Sequence, residues 1–347
     1  MTALTLRQDD PDAITVPGPR RRLLGLAIAL VVLLSLVVAS VMIGSTAIAP
    51  SVVWDALFHP AADIDQFAIR DFRLPRTIIG LVVGIALGLS GALIQALTRN
   101  PLADPGILGV HAGASFAVTV AVGLLGVRGV EGYMWFAFTG ALIVTLMVLA
   151  LGSTRRGQSP TVMVLAGVSV AAVLGGLREA LQLTNPAAFD AMRSWNAGSI
   201  AGRPLDVMWP ILPFFAVALV ITLAVSRPLN AMALGDELAV AQGVRVARNR
   251  VLSVLALALL AGGATAIAGP IAFVGLMVPH VARWLVGPNQ RWIFAYSFLL
   301  APSLLLASDI LGRVVMRPGE LPVGVVTAFI GAPVLIALVR RNKASGL

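Results

Sequence analysis

Residues 23–43 read LLGLAIALVVLLSLVVASVMI, a run without a single charged side chain. A helix needs roughly 20 such residues to cross the hydrocarbon core of a bilayer. Arg20, Arg21 and Arg22 stand directly before it. A basic cluster ahead of an apolar run also fits a secretory signal. This run is longer than a typical signal core, and the small-residue triplet Ala47-Ile48-Ala49 is followed by Pro50, which disfavours cleavage. Residues 23–43 are therefore expected to be an uncleaved first span, with 1–22 as a flexible cytoplasmic tail.

The same pattern recurs along the chain. Further spans are expected at about 76–96, 106–125, 134–152, 160–182, 207–226, 250–268, 270–286, 292–308 and 322–339. Composition agrees: 58% of the 347 residues are hydrophobic and 12% are charged, against about 25% charged in soluble domains. Mean hydropathy is +0.93. A soluble globule cannot bury that much apolar surface. The expected class is an all-α polytopic membrane protein with about ten transmembrane helices, residues 23–340 forming one membrane domain and 341–347 a cytoplasmic end. The net charge of +9 is read as charge at the membrane edges, not as a nucleic-acid surface.

Local signals mark the ends of these spans. Asp104 can cap a helix that has Pro105 at its first position, and Ser159-Pro160 repeats the pattern. Glu320 is expected to cap the helix opening near Pro322. Gly269-Pro270 divides a long apolar stretch into two spans, and Pro302 sits inside one, where a kink is expected. Residues 187–200 are too short to cross and are expected to form a partial helix beside a pathway. Gly80, Gly84, Gly88 and Gly91 make a small-residue face on the second span, suited to close helix packing within the subunit. Ten spans put both termini on one side. With that side inside, the larger share of the arginines falls on cytoplasmic stretches, as the positive-inside rule requires. Arg70, Arg73, Arg76, Arg128, Arg178, Arg193, Arg203, Arg313 and Arg317 remain outside and need a role.

Catalytic sets are missing. There is no cysteine, and the one lysine, Lys343, is followed by Ala344, so no Walker A loop exists. His59, His111 and His280 have no ligand partner at helical spacing, and no metal site is expected. Ion-driven carriers place carboxylates in the membrane interior. Here Glu179 is the one carboxylate read within an apolar run, next to Arg178. Energy is then expected to come from elsewhere, and the two absences together suggest a partner that hydrolyses ATP. The inner loop 227–250 offers a surface for such a partner. Gly235 can turn, Asp236 can cap a short helix and Gly243 can end it.

Several stretches resemble the permease subunits of ABC importers for iron-siderophores, haem and cobalamin, the FecCD family. They are Arg73-Leu74-Pro75-Arg76-Thr77, the run from Gly91 to Gly113 with Asn100-Pro101-Leu102-Ala103-Asp104-Pro105-Gly106, Leu234-Gly235-Asp236-Glu237 with Ala239 and Gln242-Gly243, Gly269 to His280 with Arg283, and Leu321 to Pro333. They occur in the family's order and span nearly the whole chain after the tail. The resemblance implies a type II importer permease fold in the bacterial cytoplasmic membrane. It implies a second permease subunit, two ABC ATPase subunits that hold the ATP and magnesium, and an extracytoplasmic binding protein. This chain itself would hold no cofactor.

The same resemblance implies residue roles. Leu234, Gly235, Asp236, Glu237, Ala239, Gln242 and Gly243 match the loop that couples to the ATPase. Arg73, Arg76 and Arg313 match arginines that receive acidic residues of the binding protein. Thr98 to Gly106, His111 to Phe116 and Val281 to Gly287 look most like the D-type ferric-enterobactin permeases, which implies a ferric siderophore as cargo and a heterodimer of two permeases. Haem or cobalamin is the alternative cargo, and an ion-coupled secondary carrier the alternative class. Arg193 and Arg203, after the fifth span, are candidates for an outer substrate vestibule.

Overall fold

The structure is a computed structural model that describes residues 18–46, 48–59, 63–154, 157–158 and 160–344. Apart from a two-residue ribbon pairing Ser153–Thr154 with Gly157–Gln158, its regular structure is helical. The helices are α1 (Pro19–Met42), α2 (Pro50–Phe58), α3 (Ile64–Phe67), α4 (Leu74–Thr98), α5 (Val110–Gly123), α6 (Val130–Leu151), α7 (Pro160–Thr184), α8 (Pro186–Trp195), α9 (Leu212–Ala233), α10 (Asp236–Ala241), α11 (Val246–Ala268), α12 (Val274–Val286), α13 (Gln290–Val315) and α14 (Val323–Ala344). Seven helical stretches are long and apolar enough to cross a membrane, and three shorter apolar helices, at 110–123, 274–286 and 323–337, fall where the remaining expected spans lie.

Two helices form the axis of the bundle. Of their most apolar stretches, 78% is buried for the helix through α4 and 83% for α11, against 11% for α7. α4 packs most extensively on α13, and its glycines explain how. A Cβ on Gly84 would collide with the Pro302 backbone, one on Gly88 would lie 2.8 Å from the Ser297 carbonyl, and one on Gly80 2.8 Å from Leu306. The small-residue face is thus an intrasubunit seam, and it brings backbones into contact where lipid provides no hydrophobic drive.

Punctuation follows backbone chemistry. Proline opens α1, α2, α7 and α8, where a missing N–H costs nothing. Asn185 caps α8 by accepting from the Ala188 N–H. Asp104 accepts from the Gly106 N–H with Pro105 following, but the helix it opens is a short 3-10 turn, Pro105–Leu108, before α5 begins.

Other boundaries differ from expectation. Arg20, Arg21 and Arg22 belong to α1, not to the tail; residues 1–17 lie outside the described residues, as does the Ser159 cap. α9 continues through Pro228 to Ala233, so the inner loop shrinks to residues 234–245. The span expected at 270–286 is helical only from Val274. Glu320 does not cap α14; its carboxylate is taken by Arg76. Asp236 is the first residue of α10 and not its cap, because its side chain is held by two arginines.

Candidate functional sites at the two ends of the bundle

The α10 end gathers the ends of three long helices. α4 closes with Arg99 in a left-handed conformation (φ 51°), which turns its side chain toward α10. Arg99 and Arg250, the latter in the first turns of α11, both grip the Asp236 carboxylate; Arg250 Nη2 lies 3.0 Å from Asp236 Oδ2. Partial burial works to raise the Asp236 carboxyl, but the Arg250 and Arg99 guanidiniums outweigh it and hold it below the usual carboxylate range. Gly235 (φ 117°) makes the turn into α10 and Gly243 (φ 80°) the turn out, conformations open to glycine and costly for other residues.

The short helix is polarised. Ala239 is fully buried against the bundle, while Leu234, Leu238 and Val240 are 63%, 55% and 60% exposed. Glu237, Gln242 and Gly243 are exposed beside them. α10 is therefore pinned by Asp236 to the ends of the two most buried helices and turns an apolar edge outward.

The opposite end holds a buried ion cluster. Arg76 Nη2 lies 2.7 Å from Asp309 Oδ1, and Arg76 Nη1 meets Glu320. Arg313, one helical turn past Asp309, lies 2.8 Å from the other Asp309 oxygen and donates to the Ser40 and Ile43 carbonyls. Arg73 donates to the carbonyls of Val41, Met42 and Thr46 at the end of α1. The three guanidiniums and Glu320 line a cavity of about 260 Å³.

Burial limits what a docking partner could reach at these arginines. Arg73, Arg76 and Arg313 are 6%, 8% and 1% exposed. Carbonyls and carboxylates of this chain take most of their donors and so hold α1, α4 and α13 together, while the buried Arg313 Nε has no partner among the described residues. The exposed arginines at this end include Arg70, Arg128, Arg193 and Arg317. Asp309 escaped the sequence reading, whose span stopped one residue short of it. The signal was present in its spacing to Arg313, i and i+4 on one helix face. Glu179, the carboxylate singled out instead, is exposed beside Arg178.

Arg193 and Arg203 are not brought together with the cavity. Arg193 is exposed in the last turn of α8, and Arg203 donates to the Tyr133 hydroxyl at 3.2 Å. Neither lines the arginine cavity. Among the histidines, the His111 ring Nδ1 lies 3.1 Å from the Thr265 hydroxyl, and His280 packs edge-on against Trp284.

The geometry is that of a helical multi-pass membrane bundle with a pinned surface helix at one end and a charged cavity at the other, and solved structures identify it as the permease fold of type II ABC importers. Solved structures share this fold. A metal-chelate type ABC transporter in an inward-facing conformation matches with a TM-score of 0.78 and 30% identity, over 93% of this chain and 99% of that one. PsaBC from Streptococcus pneumoniae matches in fold alone, with a TM-score of 0.55 and 18% identity over 77% of this chain and 91% of that one.

Residues 30–341 match the FecCD transport family, and the chain belongs to it. The ferric enterobactin transport system permease protein FepD of Escherichia coli (strain K12) is 48% identical over 96% of this chain and 97% of its own length. The iron(3+)-hydroxamate import system permease protein FhuB of Bacillus subtilis (strain 168) is 37% identical over 88% of this chain and 79% of its own.

Proposed function

We propose that this chain forms half of the translocation pathway of an ATP-driven importer for a ferric siderophore, in the bacterial cytoplasmic membrane. Its partners are a second, paralogous permease subunit, two ABC ATPase subunits and an extracytoplasmic siderophore-binding protein. The observation that carries this reading is the full-length similarity to the ferric enterobactin permease, 48% identical across 96% of the chain.

In this reading α10 is the contact for the ATPase. Leu234 and Leu238 enter an apolar pocket of the ATPase, Gly235 and Gly243 set the turns, and Ala239 seats the helix. Glu237 and Gln242 face the same partner. The Arg99–Asp236–Arg250 linkage passes displacement of α10 to α4 and α11, because charged hydrogen bonds to one carboxylate resist shear in either direction. No chemical step takes place in this chain; it supplies rigid elements that move.

At the other end, docking through Arg73, Arg76 and Arg313 requires exchange. Glu320 occupies the place on Arg76 that a binding-protein carboxylate would take. Glu320 is more accessible than Asp309, with 30% against 0% side-chain exposure, so it is the partner that yields. In this reading Arg193, exposed on α8, and Arg203, beside Tyr133, belong to an outer vestibule separate from the arginine cavity.

The test is uptake of a radiolabelled ferric catecholate siderophore by cells lacking their own permease pair and supplied with this chain, a second permease subunit, the ABC ATPase and a siderophore-binding protein. Uptake of that cargo supports the reading. Uptake of haem or cobalamin instead, with no siderophore transported, would replace the cargo.

A further inference from the structure

Two cavities run together between α9 and α13, on the flank of α4. The first, of about 380 Å³, is walled by apolar side chains that include Val82, Leu212, Phe215 and Leu260. The second, of about 660 Å³, shares Leu89, Leu219 and Phe298 with the first and opens among Ser226, Asn289, Arg291 and Trp292. Together they follow α9 from Leu212 to Ser226, about 21 Å at 1.5 Å per residue. Each leaflet contributes about 15 Å of the hydrocarbon core, so the apolar groove is long enough for an acyl chain.

The polar mouth lies at the α10 end. Asn230, near the end of α9, accepts from the Gln290 N–H at the start of α13. Arg291 is exposed there, and Arg22 stacks over the Trp292 ring at 5.7 Å. Neither arginine has an ion pair among the described residues, and the Arg22 Nε is buried without a hydrogen-bond partner. No acidic residue lines either cavity. The indole of Trp292 belongs at headgroup depth, as tryptophans at membrane interfaces do. The barely buried helix α7 packs on α5 and α6 and has no extensive contact with α9 or α13, so the groove is on another side of the bundle from that exposed helix.

We infer that this groove holds one anionic phospholipid of the inner leaflet, with an acyl chain between α9 and α13 and its phosphate between Arg22 and Arg291. The apolar wall selects a lipid, and the two unpaired guanidiniums select negative charge.

The full chain, extracted into neutral detergent containing equal amounts of phosphatidylglycerol and phosphatidylcholine, is examined by native mass spectrometry. One phosphatidylglycerol is retained in preference to phosphatidylcholine. R291Q and R22Q each lower its retention about fivefold, the worth of one basic side chain at the headgroup layer. A216W, at a further residue of the apolar wall, fills the groove and removes the adduct while the thermal unfolding midpoint shows the chain still folded. R128Q, an exposed arginine at the other end, leaves retention unchanged. Equal retention of the two lipids, undiminished phosphatidylglycerol on A216W, or a second copy of the chain displacing lipid from the groove would overturn the assignment.

Discussion

Arg76 on α4 and Asp309 on α13 meet as a fork on a carboxylate: Arg76 Nη2 is 2.7 Å from Asp309 Oδ1, and its Nε is 3.0 Å from both carboxylate oxygens. Asp309 is fully buried and serves Arg313 as well. Removing one partner of such a pair leaves uncompensated buried charge, at a cost of about 3–5 kcal/mol. Asp309→Ala removes a carboxylate from two guanidiniums at once and leaves Arg313 with carbonyl and hydroxyl acceptors but no ion pair. Its thermal unfolding midpoint in detergent should fall steeply. Glu179→Gln, at a site 71% exposed, should change stability by less than about 0.5 kcal/mol and leave transport intact.

Glycines of α4 are tightly packed and two of α7 are open. A Cβ on Gly91 would collide with the Gly275 carbonyl of α12, while Gly175 and Gly176 on α7 have nothing within 4 Å. Gly91→Ala should destabilise by about 1–3 kcal/mol through overpacking, read as lower yield of folded chain and a lower unfolding midpoint. Gly175→Ala should be neutral to slightly stabilising in the same assay, since alanine favours the helix.

Gly235 sits at φ 117° with open space around it. Proline, locked near φ −65°, cannot adopt that turn. Gly235→Pro should leave membrane insertion and the bundle unchanged, because the residue lies outside the core. It should abolish stimulation of ATP hydrolysis when the ATPase subunits are added. Stimulation equal to wild type would remove α10 from the coupling path.

The lowered pKa of Asp236 fixes the sign of a pH response. A carboxyl held below its ordinary value contributes fully above the unfolded value, near 4, and loses that contribution as the pH falls through the lowered folded value. The Arg99–Asp236–Arg250 linkage should therefore be constant between about pH 6 and 8. Hydrogen exchange of the α10 amides checks this: protection is flat over that range and lower in Asp236→Asn at every pH. With Asp236 44% exposed, the linkage is worth about 1 kcal/mol or less.

Hydrophobic run length made the long apolar helices legible, because each span needs a continuous apolar stretch and its ends carry Pro, Gly and Asp signals. The partners of the arginines were not legible. Arg76 and Asp309 are far apart in the chain, and a charge beside an apolar run reads alike whether it faces solvent or a buried carboxylate. α3 and the π-helical turn Ala68–Arg73 that leads into α4 escaped for a related reason: Asp63, Asp65, Arg70 and Asp71 give that stretch the polarity of a loop. At the other end the α10 motif was readable, but its anchoring was not. Asp236 looked like a cap, and only the folded geometry shows Arg99 and Arg250 claiming its oxygens.

The central claim is that this chain moves solute only when an ATPase drives it. Proteoliposomes containing the chain with its permease, ATPase and binding-protein partners should take up ferric siderophore with ATP inside the ATPase compartment, and vanadate should stop it. The chain reconstituted alone should take up nothing under an imposed proton or sodium gradient; gradient-driven uptake by the chain alone would contradict the account.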